Sequence, residues 1–84
     1  MRLPTRIHLP FGYVVKVKQI TVPEMRVFAD GGPDLDGCWI AGERTIYVLR
    51  NLPIRRKRYI LGHEVIHAVN DWLHAALNMD AARP

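Results

Sequence analysis

His63, Glu64 and His67 stand in the order His-Glu-x-x-His within the stretch ILGHEVIHAVND, residues 60–71. On a helix, residues four apart lie one turn apart on the same side, so both imidazoles can reach a single ion at about 2.0–2.1 Å. Glu64 projects beside them, close enough to take a proton from a water that the ion polarises. Zinc in such a place lowers the pKa of that water toward roughly 7. Glu64 would act as general base and carry the proton to a leaving amine. The spacing points to hydrolysis with Zn²⁺ as cofactor.

A helix must hold these residues, and its polar and apolar positions can be placed by angle. At 100° per residue with His63 at zero, His63, Asn70, His74 and His67 fall between about −20° and 40°. Asp71 and Glu64 follow near 80° and 100°. Leu61, Val65, Ile66, Ala68, Val69, Trp72, Leu73, Ala76 and Leu77 fill an arc from about 120° to 320°. So wide an apolar face predicts a helix buried over most of its surface. Residues 59–82 contain no Lys, Arg or Gln, the usual filling of a solvated face. The competing reading is a chance match, which this composition gives in roughly one sequence per hundred.

The elements ahead of the helix read as strands. Tyr13–Ile20 is rich in β-branched residues, with Val15 and Val17 alternating with Lys16 and Lys18. Pro23 interrupts, and Glu24–Ala29 reads as a second short strand with Met25 and Val27 on one face. Asp30–Gly37 is a loop by composition. Its Asp30, Asp34 and Asp36 lack the ligand spacing of a calcium-binding loop and read as turn formers. Cys38–Ile40 and Thr45–Leu49 flank Ala41–Arg44 as a hairpin. From Pro53 the pattern turns helical. The expected fold is α+β: one domain over residues 1–84, a small antiparallel sheet of three or four strands and then one long C-terminal helix.

Bulk properties bound the rest. With 84 residues, 49% of them hydrophobic, the chain can build one small core. Its single cysteine, Cys38, can form no internal disulfide and suits a reducing compartment. MRLPTRIHLP at the N-terminus has no apolar core of a signal peptide, and no apolar run approaches the roughly 20 residues of a membrane span. These features predict a cytoplasmic protein without a membrane partner. Arg55, Arg56, Lys57 and Arg58 dominate the net charge of +4. Four consecutive helix positions point all round the axis, so a solvated helix start is favoured over a nucleic-acid contact.

HEVIHAVND resembles the active-site helix of the zincin metallopeptidases, most closely the thermolysin-type gluzincins. Residues 37–48 are similar to the edge-strand hairpin that precedes that helix. The order of elements is similar to compact phage-type and ImmA/IrrE-like metallopeptidases. The resemblance covers residues 37–74 and implies His63 and His67 as zinc ligands with Glu64 as base. It implies that Asp71 orients His67 through its free ring nitrogen. It also implies that Cys38, Trp39 and Ile40 form an edge strand that pairs with an extended peptide or protein substrate; for Trp39, ordinary sheet packing is the alternative.

The chain departs from that family in one respect. Gluzincins take a third ligand from a later glutamate, and Glu64 is the last glutamate here. Asp71 and His74 lie about 12 and 16 Å from His63 along a straight helix, too far to share its ion. Asp80, the carboxylate of Pro84, His8, Cys38, a second protomer completing the site, or water are the remaining sources. A non-catalytic zincin-like scaffold, or a small basic nucleic-acid-binding protein, is the alternative from another class.

Overall fold

A computed structural model describes residues 2–29 and 35–81. In chain order the elements are β1 (Arg6–Leu9), β2 (Tyr13–Ile20), α1 (Val22–Ala29), β3 (Gly37–Ile40), a 3₁₀ turn (Ala41–Glu43), β4 (Thr45–Leu49) and α2 (Ile54–Ala81). The fold is α+β, as expected, with four strands and one long C-terminal helix. Asp30 and Asp34 of the expected loop lie outside the described residues.

The sheet order is β1-β2-β4-β3, and the sheet is mixed rather than antiparallel. β1 and β2 form a hairpin, as do β3 and β4, but β2 and β4 run parallel, with Val17 opposite Ile46. Parallel neighbours need a crossover connection, and α1 with β3 supplies it. β4 is central, and Thr45, Ile46, Val48 and Leu49 are all buried. On β2, Val15 and Val17 are buried while Lys16 and Lys18 are exposed, the alternation read from the sequence.

Glu24–Ala29 is helical and belongs to α1, not to a strand. The reason is local. The Thr21 backbone N–H and hydroxyl both donate to Glu24 Oε1, at 3.0 and 2.8 Å, and the Glu24 N–H returns to Thr21 Oγ1 at 3.5 Å. This is a capping box, Thr-x-x-Glu, with Pro23 inside the first turn where its missing N–H costs nothing. The bonds from Thr21, that to its backbone N–H first, hold the Glu24 carboxyl below its ordinary pKa. Helical spacing then lays Met25 and Phe28 on one side of α1 against the sheet.

α1 and α2 cover opposite faces. Ile60, Leu61 and Ala68 of α2 pack on Val15, Val17, Ile46 and Val48, with Trp39 at the margin. Met25 of α1 packs on Ile20 and Leu49, with Cys38 and Tyr47 beside them. α2 is buried along a narrower stripe than its apolar arc predicts: Ile66, Leu73 and Leu77 are 69, 47 and 63% exposed. A single sheet can cover only the side of the helix that rests on it. Among the described residues, no helix is long and apolar enough to cross a membrane.

Candidate metal centre

α2 is held over the sheet from both ends of one span. At its start, Arg56 donates to Asp36 Oδ2 at 2.9 and 3.2 Å, and Lys57 Nζ donates to Gln19 Oε1 at 2.6 Å. Two members of the basic run thereby fasten the helix to the sheet. Further along, Trp39 Nε1 donates to Asp71 Oδ2, joining β3 to the helix. Trp72 Nε1 donates to the Pro10 carbonyl at 3.1 Å, and its ring stacks on Phe11 in the β1–β2 turn. Phe11 and Gly12 both take left-handed conformations there, φ 69° and 74°.

These contacts orient the helix. Trp72 points toward the β1–β2 turn, Glu64 and Ala68 point down at the sheet, and Asp71 points to β3. His67 and His63 follow Asp71 in the same rotation of the helix, on the side away from Ala68. Their rings lie 5.1 Å apart between centroids and 74° apart in plane, and both are exposed. Glu64 is only 8% exposed, and its Oε2 has no hydrogen-bond partner among the described residues. The metal-capable atoms of His63, Glu64 and His67 all lie within 4.8 Å of one another. The three residues singled out by their spacing therefore form one cluster.

Gly37 makes the close approach of β3 to the helix feasible, a role its place in the sequence did not reveal. A Cβ there would stand 2.3 Å from Ile60 Cγ2, 3.0 Å from the Tyr47 carbonyl and 3.8 Å from Glu64 Cγ. The sequence signal was a glycine at the first position of a strand, where loss of a side chain often marks close packing.

β3 is an edge strand, as the resemblance implied for Cys38, Trp39 and Ile40. The Leu49 N–H donates to the Asp36 carbonyl at 2.9 Å. By the alternation of antiparallel ladders, Cys38 and Ile40 also bond inward to β4. The main-chain groups of Gly37 and Trp39 face the open edge. The Trp39 ring packs under α2, which is the sheet packing considered for it.

Asp71 is bonded to Trp39, and among the described residues no hydrogen bond joins it to His67. Cys38 lies on the α1 side of the sheet, its thiol directed at Met25 Sδ, 4.0 Å away. Burial first, then the charges of Glu64 and Glu43, pushes that thiol up to about 11. Cys38 is thus a neutral thiol turned away from the histidines. His8 is exposed on β1, at the other edge of the sheet. α2 continues to Ala81, so the chain does not reverse to bring Asp80 back to His63, and Pro84 lies outside the described residues. Apart from Glu64 itself, no third ligand from the same chain stands beside the pair among the described residues. A groove of about 370 Å³ lined by Lys18, Ile20, Glu24, Val27, Phe28 and Tyr47 lies under α1, away from the cluster.

No family model matches the chain, and neither a curated protein nor a solved structure matches it.

Proposed function

We propose that the chain is a zinc-dependent peptidase in which His63 and His67 hold the metal and Glu64 is the general base. The observation that carries this reading is the orphaned oxygen of Glu64, buried beside two exposed imidazoles. A buried carboxylate oxygen without a donor is costly, and a cation or a water held by one would satisfy it. Zinc bound there would supply Lewis acidity and a water of lowered pKa. Glu64 would take a proton at a carboxylate oxygen from the water that attacks the peptide carbonyl, and return it to the amine released when the C–N bond breaks. Gly37 and Trp39 offer their main-chain groups to an extended peptide laid along β3, which would pass beside the histidines. The substrate class is accordingly peptide or protein, and a chain whose single cysteine can form no internal disulfide suits the reducing cytoplasm.

The test is a pair of substitutions on purified protein. Wild type should bind zinc and cleave an unstructured peptide library. His63→Ala should lose both, and Glu64→Gln should keep the metal while losing cleavage. Zinc binding without cleavage by wild type would leave the non-catalytic scaffold. Cleavage by Glu64→Gln at the wild-type rate would refute the assigned base.

A further inference from the structure

Two imidazoles are too few for a tight zinc site, which takes three or four protein ligands. The same helix carries an unpartnered face directly opposite the sheet. Tyr59, Ile66 and Leu73 repeat there at seven-residue intervals, with His63, Asn70 and Leu77 each four residues further on, and all six are exposed. That alternation of three and four is the seam of a helix pair. From Tyr59 to Leu77 the only charged residues are Glu64 and Asp71, and both are turned to the sheet side. From His63 to Leu77 no charge on the outer face would repel a copy of itself, while the Arg56 guanidinium lies over the Tyr59 ring at the start of the seam.

We infer that two copies of this chain pair antiparallel along this seam, and that His74 of the second copy completes the site of His63 and His67. The inference rests on the zinc reading above and supplies its missing ligand. A twofold axis perpendicular to both helices keeps each flank on its own side, so the histidine flanks of the two copies face each other. Setting Ile66 opposite Leu73 of the second copy also sets Gly62 opposite Leu77. Gly62 is open, with nothing within 4 Å of an added Cβ, and gives the leucine room. In this register His74 of the second copy stands level with Val65, about 3 Å along the axis from both His63 and His67. The pairing builds two equivalent three-histidine sites, and each leaves a position for water. Because the apolar seam is short, zinc and pairing reinforce each other.

The experiment measures mass and zinc affinity together, with zinc chloride as the probe. Zinc should convert the wild-type protein from its 9.7 kDa monomer to a dimer. His74→Ala should weaken zinc binding by at least about 100-fold, since a direct ligand matters no less than its supporting groups. Leu73→Glu, at an exposed position, should abolish the dimer and weaken zinc binding with it. Mixing His74→Ala with the His63→Ala/His67→Ala double variant should restore about one quarter of the wild-type sites, the share expected when half the twofold pairs are mixed and each holds one complete site. Tight zinc binding by a monomer, unchanged binding by His74→Ala, or no recovery in the mixture would overturn the inference. The first two leave the peptidase reading intact, whereas failure of wild type to bind zinc in any state removes both. Zinc-linked pairing alongside cleavage by Glu64→Gln at the wild-type rate sustains this inference and refutes only the assigned base.

Discussion

Glu64 offers the sharpest test, because its carboxylate should be a liability until a cation arrives. The side chain is 8% exposed, and among the described residues Oε2 has no hydrogen-bond partner. An unsatisfied buried acceptor costs about 1–3 kcal/mol, and more when it is charged. Methionine matches its length, bends easily and carries no strong acceptor. With metal removed, Glu64→Met should therefore be more stable than wild type by about 1–3 kcal/mol. In a domain of this size that raises Tm by roughly 5–20 °C. The assay is thermal unfolding followed by circular dichroism in chelator, repeated across a zinc titration. Zinc at a hundredfold excess over its Kd should stabilise wild type by about 2.7 kcal/mol and the variant by less, so the gap narrows. A metal-free Glu64→Met protein less stable than wild type would refute the reasoning, since Glu64 would then be a satisfied structural group.

Gly37→Ala should cost about 1–3 kcal/mol by overpacking, measured by urea denaturation, with part recovered when Ile60→Ala removes the clashing Cγ2. Trp39→Phe removes the donor to Asp71 and should cost about 1.5–3 kcal/mol in the same measurement. The Cys38 thiol should react slowly with disulfide reagents at pH 8, where a free cysteine reacts readily. Cys38 is raised from 9.0 to about 11 by burial first, and Tyr47 from 10.0 to about 12 by its hydrogen bond to Glu43 first. Both groups are held neutral in the fold. The stability they contribute is complete below pH about 9, where the unfolded chain is also protonated, and is lost as pH rises from about 9 to 12. A flat denaturation midpoint across that range would contradict these shifts.

Much of this geometry was legible in the residues, for reasons that also explain the failures. Within Tyr13–Ile20 the residues Val15 to Lys18 alternate because α2 covers one face there, while Ile20 is buried on the other face under α1. The β3–β4 hairpin and the start of α2 at Ile54 were legible from their turn residues and Pro53. α1 was misread because Met25 and Val27 suggest a two-residue period, while the decisive signal was the Thr21–Glu24 cap. The parallel pairing of β2 with β4 leaves no mark on either strand, since it depends on the path between them. On α2, hydropathy treats Glu64 and Asp71 as solvent-facing, yet one is buried and the other is bonded to Trp39. Both depart from the hydrophobic pattern for chemical reasons.

The fastenings at Arg56 and Lys57 and at Asp71 and Trp72 bracket the histidines like the two piers of a bridge. The imidazole spacing is therefore set by a supported span before any ligand arrives. Ordering the two histidines is a cost met in folding, and metal capture would need little rearrangement of the backbone. Beyond Trp72 the helix extends nine more residues to Ala81, an overhang of about 13 Å. In the metal-free monomer, amide exchange should divide α2 at that point, slow within the span and fast along the overhang.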